Sequence, residues 1–305
     1  MPPTFRLTGL IAAPFTPFHA DGRLNPEAIS PMAEMLIEAG VSGVFVCGST
    51  GEGHSLTVAE RRTIAETWVK IARKRLKIVL HVGHNSQSEA AGLAANAQTL
   101  GVDAISALAP SYYKPKTVND LVEFFVPIAA AAPSLPFYYY NIPSMTAVSL
   151  PTPDILREGK KRIPTLNGLK FTHNDMMEFQ ECLALQNGEF DVVFGFDEML
   201  LSALAFGAKG AVGSTYNFAA PAYLRVIAAF EKGDLATARQ EQFKCVQMIR
   251  ALIGINFMPA AKSVMSMIGV DCGPVRSPLT PITAREYDTL RERLKPLDIF
   301  TRPLR

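Results

Sequence analysis

The sequence lacks an excess of charge of either sign. Its 30 basic residues face 28 acidic ones over 305 positions, a formal net charge of +2. That balance calls for neither nucleic acid nor an anionic membrane as a partner, and the basic residues form no long block. A small anionic substrate stays open, because local charge at a site need not show in the total. Cysteine is scarce as well. Cys47, Cys182, Cys245 and Cys272 stand far apart, with no Cys-x-x-Cys and no His-x-x-x-His. Neither a metal site nor a disulfide framework is expected, and reduced thiols in a cytoplasmic protein are. No apolar run approaches the ~20 residues of a membrane helix. The longest candidate, Phe124 to Ala132, is short and contains Pro127. The start of the chain has no charged region followed by an apolar one and a cleavage site, so no signal peptide is expected.

What is present is a repeated alternation. With 48% hydrophobic and 19% charged residues, the chain can bury a large core. Length alone leaves one large or two ordinary domains open. Short runs rich in Val, Ile, Leu, Phe and Ala alternate with longer amphipathic stretches. The runs are Gly9–Pro14, Gly43–Gly48, Lys77–Gly83, Ala104–Pro110, Pro136–Asn141, Gly168–Thr172, Asp191–Gly195 and Gly210–Gly213. Continuous apolar character is how parallel strands covered on both faces read. Their starts are 19 to 34 residues apart, room for one helix and two short loops.

Helix signals fill the gaps. Asn25-Pro26 reads as an N-cap with proline at the first helical position. Ile29, Met32, Ala33, Leu36 and Ile37 then recur on one face. Thr57 to Glu60 and Ser86 to Glu89 have capping-box spacing. Gly40 and Gly101 sit where helices should stop. Eight strand–helix units allow a closed (β/α)₈ barrel or an open doubly wound sheet. The count, and the lack of Gly-x-Gly-x-x-Gly after the first strand, favour the TIM barrel, an α/β fold. After residue 217 the strands stop. The expected organisation is one domain over 1–305, with a barrel core over 7–217 and a C-terminal helical extension over 218–305.

Barrel sites lie at the carboxyl ends of the strands, so polar residues there carry the argument. After the second strand, Gly48-Ser49-Thr50-Gly51-Glu52 can turn N–H groups and two hydroxyls towards a carboxylate or phosphate. A plain tight turn of small residues competes with that reading. On the fifth strand, alternation sends Tyr138 and Tyr140 to one face and Tyr139 to the other. A tyrosine at the mouth can relay a proton, and aromatic packing is the competing role. On the sixth strand Lys170 has apolar neighbours on both sides. Pointing inward, it would lose solvation, shed its proton and attack a ketone to form an imine. Pointing outward, it would merely snorkel. Asp197-Glu198 after the seventh strand can hold a polyol or complement a helix start. Ser214 closes the eighth strand. His19, His54, His81, His84 and His173 are scattered, and His173, after the lysine strand, is expected in an exposed loop.

In combination these segments resemble the N-acetylneuraminate lyase and dihydrodipicolinate synthase family of class I aldolases. The marks are GSTGE at Gly48–Glu52, YYYNIP at Tyr138–Pro143, GLKFT at Gly168–Thr172, GFDE at Gly195–Glu198 and GAVGSTYN at Gly210–Asn217. The stretch before and through YYYNIP is similar to the animal branch of the sialic acid lyases. The resemblance implies that Lys170 forms the Schiff base and Tyr140 handles the substrate proton. It implies that Ser49 and Thr50 hold the keto-acid carboxylate. Thr172, Gly195, Asp197, Glu198 and Ser214 match positions that contact the sugar acid, and Tyr112 matches a tyrosine lent to a neighbouring subunit. The synthase branch carries an arginine where this chain has Met145, which cannot make a bidentate ion pair with a dicarboxylate. Ala147 stands where both branches commonly have glycine.

The implied reaction is cleavage of a keto sugar acid, N-acetylneuraminate, to pyruvate and N-acetylmannosamine, in a homotetramer and without cofactor or metal. Other family reactions on 2-keto acids are the first alternative. A catalytically silent sugar-acid-binding barrel is the second, and intact Lys170 and Tyr140 argue against it.

Overall fold

The computed structural model describes residues 5–305. Eight strands close into one barrel in chain order: β1 Gly9–Ala12, β2 Gly43–Val46, β3 Lys77–His81, β4 Ala104–Leu108, β5 Phe137–Asn141, β6 Leu166–Phe171, β7 Asp191–Phe194 and β8 Gly210–Gly213. Every neighbouring pair is parallel, and β8 returns to pair with β1. This is the TIM barrel that the spacing predicts. β6 begins two residues earlier than expected. Asn167 is the extra residue where the β5–β6 register shifts, and its polar side chain masks the strand in the sequence.

The helices between strands are α1 Ile29–Glu38, α2 Val58–Ala72, α3 Gln87–Leu100, α4 Val118–Ala130, the one-turn α5 Pro143–Thr146, α6 Thr152–Arg162, α7 Met176–Ala184 and α8 Leu200–Ala205. α9 Tyr216–Glu231 follows β8, and α10 Leu235–Ile253, α11 Phe257–Met267 and α12 Ala284–Leu294 complete the tail. Thr57 and Glu60 form the expected capping box. At Ser86 the hydroxyl accepts from the Glu89 N–H. Asn25 departs from expectation. Pro26–Ala28 forms a 3₁₀ turn, α1 starts only at Ile29, and the Asn25 side chain caps nothing. Gly40 and Gly101 take the left-handed conformation that ends a helix.

Alternation along the strands divides the apolar residues between two cores. Ile11, Phe45, Val79, Tyr138, Tyr140, Val193 and Val212 fill the barrel interior. Leu10, Val44, Leu80, Tyr139, Phe171 and Phe194 face the helices. Tyr139 packs on Phe125 of α4 at 5.5 Å between ring centres. The amino-terminal end of the barrel is closed by a polar plug. Tyr138 donates to Asp191 Oδ2 at 2.6 Å, Leu7 N donates to the same oxygen at 2.7 Å, and Asn167 Nδ2 donates to the Tyr138 hydroxyl at 2.8 Å. With that end sealed, the carboxyl ends of the strands are left to carry the site.

Candidate active site

Lys170 points into the barrel. Its register partners are Tyr140 on β5 and Val193 on β7, both members of the inner core, and it is 4% exposed. Its amine lies 4.0 Å from the centre of the Tyr140 ring and 4.1 Å from that of Phe45. Burial pulls the amine below the ordinary lysine range, while the Tyr140 hydroxyl and, more weakly, Asp197 act in the opposite sense. A lysine so placed has a share of neutral amine, the form that attacks a carbonyl carbon.

The turn after β2 meets both β5 and the loop after β8. Ser49 Oγ and the Tyr140 hydroxyl are 3.3 Å apart, and Thr50 Oγ1 and Ser214 Oγ are 2.6 Å apart. The turn carrying Ser49 and Thr50 is flanked by Cys47 and Glu52, both left-handed at φ of 60° and 52°. Non-glycine residues hold that conformation only where surroundings impose it, and such strain gathers at functional sites. The turn therefore has a defined shape, and it sets the Ser49 and Thr50 hydroxyls against those of Tyr140 and Ser214.

Thr172 follows the lysine strand. Among the described residues its buried Oγ1 has no hydrogen-bond partner, which leaves its bonding capacity unused. Gly195 makes room for it: a Cβ at position 195 would lie 1.9 Å from that oxygen. Asp197 and Glu198 are not a matched pair. Asp197 is buried, and its Oδ2 accepts from Thr215 N at 2.7 Å and Thr215 Oγ1 at 2.6 Å. Burial pushes its carboxyl up to about 6. Glu198 is half-buried.

Tyr112 does not join these residues within the chain. It is 75% exposed and packs edge-on against the still more exposed Tyr113. His173 is half-buried rather than exposed. Its ring stands against Phe171, and Nδ1 accepts from the Asp175 N–H, which takes it into the turn before α7.

His81 escaped the sequence reading. It ends β3, its ring meets that of Tyr140 edge-on at 5.8 Å, and Nδ1 lies 3.1 Å from the Cys47 carbonyl oxygen. Burial, with the charges of Arg61 and Lys170 nearby, holds the imidazole far below its ordinary pKa and therefore neutral. The usable signal was a histidine at the carboxyl end of an apolar strand, which the other scattered histidines obscured.

Residues 6–297 match the dihydrodipicolinate synthetase family. The chain belongs to that family. It is 40% identical to N-acetylneuraminate lyase of Mus musculus over 99% of this chain and 96% of the other. It is 42% identical to the Xenopus tropicalis N-acetylneuraminate lyase over 97% and 98% of the two chains. The solved N-acetylneuraminate lyase of Aliivibrio salmonicida superposes with a TM-score of 0.95 at 44% identity, over 97% of this chain and 98% of that one. As a dihydrodipicolinate synthetase family member, this chain has two departures to place. Met145 is 69% exposed on α5. Ala147 is left-handed at φ 52°, the conformation that glycine takes without cost.

Proposed function

We propose that this family member is a carbon–carbon lyase that splits N-acetylneuraminate into pyruvate and N-acetylmannosamine. The observation that carries the reading is the buried, inward Lys170 against Tyr140 in a chain about 40% identical to named N-acetylneuraminate lyases over nearly its full length.

The neutral Lys170 amine adds to the C2 ketone, and loss of water leaves an imine. Protonated, the imine accepts the electron pair of the C3–C4 bond as that bond breaks. Tyr140 relays the C4 hydroxyl proton away, and the sugar fragment leaves as an aldehyde. The resulting enamine regains one proton at C3, which balances the one lost from the C4 hydroxyl. Water then releases pyruvate and restores the amine. Because the imine is the electron sink, the scheme calls for neither metal nor organic cofactor.

In this reading Ser49 and Thr50 hold the carboxylate. Thr172, Gly195, Asp197, Glu198 and Ser214 face the sugar chain. The unpartnered Thr172 hydroxyl supports that role, and the raised Asp197 carboxyl suits a group that exchanges hydrogen bonds with hydroxyls. Met145 offers no cation for a second carboxylate, in keeping with a sugar acid as substrate. We take the chain as one domain over 1–305, with a 7–217 barrel core and 218–305 helices, working in the cytoplasm as a homotetramer. Tyr112 would then complete a neighbouring subunit's site, which gives its exposed ring a use.

A panel of 2-keto acids read by pyruvate release tests the reading. Release from N-acetylneuraminate is expected. Release only from a shorter, six-carbon keto acid would overturn the substrate, and release from none would overturn the lyase.

A further inference from the structure

A buried ion pair joins the site to the tail. Lys262 on α11 donates from Nζ to Glu52 Oε1 at 3.0 Å across 210 positions of sequence, and both side chains are 2% exposed. The other carboxylate oxygen, Oε2, accepts from Arg276 N at 2.8 Å. Lys262 Nζ also donates to the Pro274 carbonyl at 2.6 Å and stands 4.3 Å from the centre of the Phe18 ring. Arg276 covers the same ring at 4.2 Å, donates to the Gly22 carbonyl and pairs with Glu60. Both oxygens of Glu52 are thus held by the tail.

Such a pair is a poor source of stability, because desolvating two charges costs roughly what their attraction returns. What it supplies is fixed geometry. Glu52 is left-handed, a state that costs a side-chain-bearing residue about 1–2 kcal/mol. It directly follows the Gly48–Gly51 turn and is tied back into it: Glu52 N donates to the Ser49 carbonyl at 3.0 Å, and Gly53 N to the Gly48 carbonyl at 3.1 Å. The chain passes so close at Gly53 that a Cβ there would lie 2.0 Å from the Cys47 carbonyl oxygen. A shift at Glu52 therefore reaches Ser49 and Thr50.

We propose that Lys262 and Arg276 are positioning residues: by fixing Glu52, the tail sets the Ser49–Thr50 turn for the carboxylate of a 2-keto acid. This rests on the function proposed above. Neither tail residue needs to touch the ligand. Each acts through the shape of the turn, so the loss should appear in binding of the keto acid and not in the reactivity of Lys170.

Two variants test this. Lys262→Met leaves Glu52 buried without its cation and can unfold the chain. Glu52→Gln/Lys262→Met removes both charges at similar volume and spares the fold. Pyruvate is titrated against each in borohydride, and the initial rate of trapping is read by intact mass. Half-saturating pyruvate should rise about tenfold or more in the double variant, as expected for loss of charge-assisted hydrogen bonds that hold the turn. The trapping rate at saturation and the thermal midpoint should stay near those of the parent. A merely structural pair would leave half-saturation unchanged. Half-saturation within twofold of the parent in the double variant overturns the proposal. A parent protein that traps no pyruvate would overturn the function reading, and this inference along with it.

Discussion

The amine of Lys170 lies 4.0 Å from the centre of the Tyr140 ring, and the two residues face each other as register partners on β6 and β5. In the proposed reaction the lysine meets a carbonyl carbon while the tyrosine hydroxyl, 3.3 Å from Ser49 Oγ, would serve the next bond along the substrate. Separate roles predict separable losses. Tyr140→Phe keeps the ring against the amine and removes only the hydroxyl. It should still trap pyruvate on Lys170 but slow cleavage by a factor on the order of 10²–10⁴. Steady-state rates beside trapping yields check this, and full turnover in the variant would remove Tyr140 from the proton path.

Asp197 gives a pH signature. Burial lifts its folded-state carboxyl to about 6, whereas in the unfolded chain it titrates near ~3.9. Between those values the native state binds more protons than the unfolded one. Its contribution is therefore fully present below about pH 4 and is lost as pH rises through about 6. The shift corresponds to roughly 3 kcal/mol. Asp197→Asn removes the slope, so the variant should match the parent near pH 4 and exceed it in stability near pH 7, at a loss of substrate affinity. Urea titrations of both proteins across that range provide the comparison. Curves that stay parallel contradict the assignment.

Gly195 leaves no room for a methyl group, since Thr172 Oγ1 and Cβ would sit 1.9 and 2.8 Å from it. Gly195→Ala should cost on the order of 3 kcal/mol by overpacking and should displace the buried Thr172 hydroxyl. Thermal unfolding measures the first effect and the KM for N-acetylneuraminate the second. An unchanged midpoint would mean that the strand end yields freely.

Much of the fold was legible because burial on both strand faces leaves a mark in the sequence. All eight strands overlap the apolar runs that predicted them, and the alternation of Tyr138, Tyr139 and Tyr140 between the two cores follows from pleat alone. The inward aim of Lys170 was one of two readings, and its register with Tyr140 settles the choice. Long-range polar pairing left no mark. Glu52 and Lys262 meet only because the tail folds back onto the loops after β1 and β2, and no local pattern relates them. Asn25 misled because a 3₁₀ turn took the place of the first helical turn. His81 was hidden among other histidines, and only the closed barrel brings it to Tyr140.

Ala147 carries a removable strain. It is exposed and left-handed at the end of α5. Ala147→Gly should stabilise the protein by about 0.5–1 kcal/mol, the relief of left-handed strain less the added entropy of the unfolded chain. Denaturant midpoints report it. A loss of stability instead would show that the αL residue is not strained.

The Lys170 amine can be tested directly. The protein is incubated with pyruvate and borohydride, digested, and the modified peptide located by mass spectrometry, with Lys170→Ala treated in parallel. One stable adduct is expected, on Lys170, with none in the variant. An adduct on another lysine, or N-acetylneuraminate cleavage that survives in Lys170→Ala, would rule out Lys170 as the nucleophile.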